Sequence, residues 1–100
     1  IIIIDYNKLQ ALSTLEDALP LNNLVKKFQS FNCNVHDVKD GHNFKSLYKY
    51  FKKTKKNGHP TVIIANTIKG KGVKEFENDT VWHARQLKGK EIDIGYKRLK

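Results

Sequence analysis

The sequence is poor in cysteine and in long apolar runs. Cys33 is its only cysteine, so the chain cannot form an internal disulfide, and no second thiol is present for a cysteine-based metal site. We expect Cys33 to be a small, inert residue at a strand end, in a protein of the reducing cytoplasm. No apolar run approaches the roughly 20 residues of a membrane helix, so we expect a soluble protein.

Acidic residues are also few, with 10 Asp and Glu against 19 Lys and Arg and a net charge of +9. A basic balance can indicate nucleic-acid or phosphate partners. Six of the lysines share one segment with apolar residues at helical spacing, which is typical of the solvated face of an amphipathic helix. A basic α/β module for nucleic acid or another polyanion remains the alternative function. The lysines are Lys45, Lys49, Lys52, Lys53, Lys55 and Lys56, and the apolar residues are Phe44, Leu47, Tyr48 and Phe51.

Two short apolar runs, at Ile1–Ile4 and Thr61–Thr67, predict β-strands, and Cys33–Val38 between them is a third predicted strand. Continuous β-branched runs are typical of strands buried on both faces of a parallel sheet, and we expect Ile1–Ile4 to be a central strand. Strands that alternate with helical patterns indicate an α/β fold, here a partial parallel sheet with flanking helices. Three strands would leave edges and faces bare, and Ile1 opens the chain without a polar lead-in. We therefore expect further chain upstream to complete the sheet.

Two helices are predicted between these strands. Asn22 or Asn23 can cap the first helix, since asparagine side chains accept hydrogen bonds from the first helical N–H groups. The turn Asp40–Asn43 supplies an N-cap for the lysine-rich helix, which we expect to end near Asn57 and Gly58.

Two segments show no sustained periodicity in the spacing of their apolar residues. Lys8–Pro20 ends in proline and suits a loop over the end of the sheet. From Ile68 onward, glycines alternate with charged residues, so we expect an extended loop, a short helical turn near Trp82–Leu87 and a tail. The sequence shows no internal repeat and no low-complexity linker.

The first candidate motif reads Asp-Tyr-Asn-Lys-Leu at positions 5–9, directly after the first predicted strand. Ligands of open parallel sheets bind beyond the carboxyl ends of the strands. The Asn7 amide oxygen and nearby backbone carbonyls are ligands that a hard cation such as Mg²⁺ accepts. An asparagine at such a place is otherwise a turn residue that bonds its own backbone.

The second candidate motif reads Thr-Ile-Lys-Gly-Lys-Gly-Val at positions 67–73, after the third predicted strand. Glycines allow a phosphate to approach the backbone closely, and a lysine supplies a point charge. The Walker spacing is absent, and the alternative is a flexible basic connection. Trp82 and His83 follow ten residues later, where the imidazole can act as a donor, base or phosphate contact or can be structural.

Four collinear segments, at positions 3–10, 38–43, 67–73 and 77–83, together resemble the thiamine-diphosphate-binding domain of transketolases. The resemblance covers nearly the whole chain and implies that residues 1–100 are the latter part of that domain. It implies that Asn7 and the Leu9 backbone carbonyl bind Mg²⁺. It further implies that Lys69 contacts the cofactor, and that His83 faces the diphosphate and the substrate as a catalytic residue.

The resemblance also implies an activity and partners. Thiamine diphosphate held through Mg²⁺ would serve the transfer of a two-carbon ketol unit between sugar phosphates. Such a site forms with a pyrimidine-binding domain or second subunit, which implies a homodimer or a heterotetramer. The family's Gly-Asp-Gly element, with its magnesium-binding aspartate, is absent from this chain, and Ala84 stands where glycine is usual. We therefore expect the isolated chain to be inactive.

Overall fold

The computed structural model describes residues 1–100, whose backbone groups into two compact units. The first unit contains Ile1–Asn7 and Leu21–Thr67, and the second contains Lys8–Pro20 and Ile68–Lys100. No helix in the chain has the length and apolar character needed to cross a membrane. The strands are β1 (Ile2–Tyr6), β2 (Asn34–Val38) and β3 (Thr61–Asn66), and the α-helices are α1 (Leu15–Ala18), α2 (Leu24–Ser30), α3 (Phe44–Lys52) and α4 (Lys90–Leu99).

The first unit is built on a three-stranded parallel sheet with the strand order β1-β3-β2. β3 lies in the middle, and its residues Val62, Ile63 and Ile64 are almost completely buried. This burial explains the continuous apolar run, since a central parallel strand is covered on both faces. The predicted α/β class with flanking helices is confirmed.

The prediction that Ile1–Ile4 forms a central strand is wrong. β1 pairs with β3 alone and is therefore an edge strand of this sheet. Ile2 and Ile3 keep 45% and 56% of their surface exposed. The physical reason is that β1 forms ladder hydrogen bonds on one side only, so its side chains are covered less than those of β3.

The helix starts follow the predicted caps. The Asn23 side chain accepts a hydrogen bond from the Lys26 N–H at 3.0 Å, and that of Asn43 accepts one from the Ser46 N–H at 3.0 Å. The predicted end of the lysine-rich helix near Asn57 and Gly58 is wrong, because α3 stops at Lys52. The last turn is closed by hydrogen bonds from the Lys53 and Thr54 N–H groups to the Tyr50 and Phe51 carbonyls, the tighter i to i−3 pattern common at helix ends.

The predicted apolar face of α3 is only partly buried. Leu47 is half-buried, but Phe44 and Tyr48 are 86% and 61% exposed. The side of the helix nearer the sheet includes Tyr50, whose ring lies 5.0 Å from that of His36 on β2. The helix is therefore rotated relative to the face that apolar spacing alone indicates.

His36 gives this unit a pH-dependent element. Burial lowers the pKa of the His36 imidazole from its ordinary value of 6.5, and the positive charges of Lys53 and Lys55 lower it further. A lowered histidine pKa means that the folded state binds fewer protons than the unfolded state at pH values near and below 6.5. The free energy of unfolding therefore rises with pH in that range.

We expect the free energy of unfolding to fall as the pH drops through 6.5, and His36→Gln to remove part of that dependence. Urea unfolding at about pH 7.5 and about pH 5.5 measures the change in stability for each variant. His59→Gln, at an exposed position, is the matched control. If the free energy of unfolding changed equally with pH in His36→Gln and His59→Gln, His36 would have no special role in the pH dependence.

The second unit contains α1, two 3-10 helices (Lys74–Phe76 and Thr80–His83) and α4. The predicted helical turn near Trp82–Leu87 therefore lies a few residues earlier, and the predicted tail is wrong because α4 occupies it. Gly95 is buried in α4, where a Cβ would lie 3.8 Å from the Phe76 ring. The charged residues of α4 also suit a helix, with acidic residues in the first turn and basic residues in the last.

An exposed ion pair joins α4 to the first 3-10 helix. The Arg98 Nε donates to Glu75 Oε1 at 3.0 Å and approaches Oε2 at 3.2 Å. The hydrogen bond from Arg98 lowers the pKa of the Glu75 carboxyl. The pair lies at the surface, so its contribution to stability is small.

Candidate functional site

The two motifs predicted from the sequence leave the sheet from neighbouring strands. β1 and β3 are paired and parallel, with Tyr6 opposite Asn66. Beyond this pair, the Thr67 N–H donates to the Tyr6 carbonyl at 3.4 Å, and the Thr67 hydroxyl donates to the Asp5 carboxylate. These bonds fix the point at which the chain leaves each strand, so Asn7 starts from an ordered position.

The end of β3 is held from its other side by the turn before α3. The Gly41 N–H donates to the Asn66 carbonyl at 2.7 Å, and a Cβ at Gly41 would lie 2.7 Å from Thr67 Cγ2. The Asp40 carboxylate accepts a hydrogen bond from the His42 N–H at 3.0 Å. Residues 40–42 therefore shape the turn and the strand end.

Sequence reasoning missed a pocket within the first unit that has polar residues at one side. A cavity of about 520 Å³ is lined by Tyr6, Asp37 and Asn66 and by the start of α2, including Lys26. The Asn66 amide donates to the Asp37 carboxylate at 2.6 Å and to the Val38 carbonyl at 3.1 Å. The signal in the sequence was Asn66 itself, a polar residue that ends an otherwise apolar buried strand.

Asn7 is half-buried and directly follows β1. The next residue, Lys8, has φ of +63°, a left-handed conformation that is uncommon for residues other than glycine. Such strain is concentrated at functional sites.

The predicted site residues are divided between the two units. Asn7 belongs to the first unit, whereas Leu9, Lys69 and His83 belong to the second.

Leu9 lies in a short antiparallel bridge with Thr14 in the second unit. Two hydrogen bonds form the bridge: the Leu15 N–H donates to the Lys8 carbonyl at 2.9 Å, and the Gln10 N–H donates to the Ser13 carbonyl at 3.0 Å. The bridge therefore fixes the backbone around Leu9 within the second unit.

The glycine loop, residues Lys69–Gly72, follows an irregular but well-defined path. Gly70 and Gly72 have φ of +75° and +110°, which glycine adopts without steric cost. The Lys69 carbonyl accepts a hydrogen bond from the Asn78 N–H at 3.0 Å. The Lys69 side chain is half-buried and has no carboxylate within 4 Å. A lysine ammonium without a carboxylate partner suits an anionic ligand.

His83 is the exposed last residue of the second 3-10 helix. The neighbouring Trp82 packs against Phe76, with ring centroids 4.4 Å apart, and the Arg85 guanidinium lies 4.3 Å from the Trp82 ring. Trp82 therefore anchors the segment that carries the histidine. Ala84 has φ of −128°, which any residue can adopt, so alanine fits where the resembling family has glycine.

These residues offer groups of the kind that could hold a diphosphate and Mg²⁺. The amide oxygen of Asn7 and the carbonyl of Leu9 are hard oxygen donors, and the glycine loop offers a lysine and accessible backbone to a diphosphate. No group of three or more His, Cys, Asp and Glu side chains in the chain can hold a metal ion. Mg²⁺ commonly completes its shell with ligand phosphates and water, which fits so small a donor set.

The family model described as "Transketolase, thiamine diphosphate binding domain" matches residues 1–99. One subunit of an apulose-4-phosphate transketolase from Actinobacillus succinogenes is 37% identical over 100 residues, which cover 100% of this chain and 36% of that protein. A 6-deoxy-6-sulfo-D-fructose transketolase subunit from Clostridium sp. is 34% identical over 84 residues, covering 83% of this chain and 30% of that protein.

A transketolase from Rattus norvegicus is 35% identical over 75 residues, covering 71% of this chain and 12% of that protein. The chain thus spans about a third or less of the length of these relatives. These matches do not favour the alternative of a nucleic-acid-binding module.

Proposed function

Because the chain belongs to the thiamine-diphosphate-binding domain family of transketolases, we propose that residues 1–100 are the latter part of such a domain. The whole protein would transfer a two-carbon ketol unit between sugar phosphates. The observation that carries this proposal is the match across residues 1–99, together with the ordered exit of both motifs from the paired strands β1 and β3.

Each predicted site residue has a place in this function. Asn7 and the Leu9 carbonyl would bind Mg²⁺, Lys69 would neutralise phosphate charge, and His83 would orient the diphosphate or the substrate. Bound thiamine diphosphate supplies the electron-accepting chemistry of ketol transfer, while the protein supplies position and charge. The half-buried Lys69 and the exposed His83 are consistent with these roles.

The chain requires partners for this activity. A pyrimidine-binding domain or a second subunit would complete the site, in a homodimer or a heterotetramer. Two relatives are named as subunits, which supports a separate second chain. Further Mg²⁺ ligands would come from outside residues 1–100, so the isolated chain would not turn over substrate. A cytoplasmic location is consistent with sugar-phosphate substrates and with the single cysteine.

Binding of Mg²⁺ and thiamine diphosphate to the full-length protein with its partner tests this function. We expect binding of thiamine diphosphate to depend on Mg²⁺, and Asn7→Ala to weaken Mg²⁺ binding roughly tenfold through loss of one oxygen ligand. Isothermal titration calorimetry measures both affinities. Asn57→Ala, an exposed asparagine between α3 and β3, should leave them unchanged. Cofactor binding that ignores Mg²⁺ and Asn7 would overturn the assignment.

A further inference from the structure

The glycine loop is held by residues that follow it in the second unit. We call Phe76–Asn78 the brace. The Asn78 N–H donates to the Lys69 carbonyl at 3.0 Å, and the Gly72 N–H donates to Glu77 Oε1 at 3.4 Å. A Cβ at Gly70 would overlap the Phe76 carbonyl oxygen, which shows how closely the two segments approach. Each end of the loop is therefore bonded to the brace.

The two lysines of the loop differ in their ion pairing with the Glu77 carboxylate. The Lys71 ammonium lies 3.6 Å from Glu77 Oε1, the same oxygen that accepts from Gly72. Lys69 has no such carboxylate partner. The positive charge of Lys71 is thus partly offset by a partly exposed ion pair, whereas that of Lys69 is not.

We propose that Glu77 is a positioning residue for the diphosphate site, because it fixes Gly72 and Lys71 so that Lys69 is the lysine that meets the phosphate. This inference rests on the proposed function above. Glu77 does not touch the cofactor in this role. It acts through the shape of the glycine loop, and its value for binding lies in ordering the loop before the ligand arrives.

The sign of the effect distinguishes positioning from electrostatics. A carboxylate close to an anion site repels the anion, so removing its charge alone would strengthen diphosphate binding. If Glu77 orders the loop, its removal weakens diphosphate binding, even though the loss of a negative charge by itself would favour binding of an anion. A weaker affinity for thiamine diphosphate in Glu77→Ala therefore cannot come from the change in charge.

Three variants of the full-length protein with its partner test the proposal by calorimetric titration with thiamine diphosphate and Mg²⁺. We expect Glu77→Ala to weaken binding roughly fivefold to tenfold, and Glu77→Gln to stay within about twofold because its amide oxygen still accepts from Gly72. Glu75→Ala is the matched control, since it also removes a carboxylate paired with a cation in the same segment. It should leave the affinity within about twofold of the wild type.

Amide hydrogen exchange of the glycine loop, without ligand, is the second readout. Exchange should be faster in Glu77→Ala than in the wild type and unchanged in Glu75→Ala. Unchanged or tighter cofactor binding in Glu77→Ala overturns the proposal, as does equal weakening in Glu75→Ala. If the wild type binds no thiamine diphosphate, the proposed function fails, and unchanged exchange in Glu77→Ala would separately show that Glu77 does not hold the loop.

Discussion

Replacing Lys69 by methionine should weaken binding of thiamine diphosphate by about 10-fold to 100-fold, the loss expected for one hydrogen bond to a charged group. Methionine keeps much of the side-chain volume and removes the charge. The half-buried setting of Lys69 raises the strength of its interaction with a phosphate, because the surroundings screen the charge less than water does.

Lys74→Met is the matched control for Lys69→Met. Lys74 carries the same charge five residues later and is exposed at the start of the first 3-10 helix. We expect its loss to change the affinity by less than about threefold, and most of that change to vanish at high salt. Calorimetric titration of both variants measures the difference. Equal losses would show that only the net charge matters and that Lys69 makes no specific contact.

Gly70→Ala should unfold or rearrange the glycine loop and abolish tight cofactor binding. Alanine at φ of +75° is strained, and its Cβ would overlap the Phe76 carbonyl oxygen, which is backbone and cannot swing aside. We expect a loss of about 3 kcal/mol or more in the free energy of unfolding, since strain and a backbone clash act together.

Gly58→Ala separates these two effects. Gly58 has φ of +80° but nothing within 4 Å of an added Cβ, so alanine there meets strain without a clash. We expect it to cost only about 1–2 kcal/mol. Urea unfolding followed by circular dichroism measures both variants. If Gly58→Ala and Gly70→Ala cost the same, the close approach of the brace to the loop has no energetic consequence.

The elements that could be predicted from the sequence are those set by local chemistry. Asn23 and Asn43 were recognisable as helix caps because the capping bond reaches only three residues ahead. The run at Val62–Ala65 indicated a buried strand. The order of the strands was not predictable in this way, because Ile1–Ile4 is as apolar as β3 and only the crossover connections decide which strand is central.

The same distinction applies to α4 and to the candidate site. Gly95 lowered the expectation of a helix, although it is accommodated by packing against Phe76, a contact made by a residue distant in sequence. The position of Asn7 after a strand led to the prediction of a Mg²⁺ ligand, and that assignment stays a prediction. The role inferred for Glu77 was hidden from the sequence, because it exists only once residues 76–78 fold back on the glycine loop.

The edge position of β1 has a consequence for handling the 100-residue chain. Its outer edge pairs with no strand of the sheet, and it carries exposed β-branched residues at Ile2 and Ile3. An edge strand that carries exposed isoleucines is a template to which another chain can add. Expressed alone, the chain would therefore be prone to concentration-dependent aggregation, and covering this edge would improve its yield as well as its order.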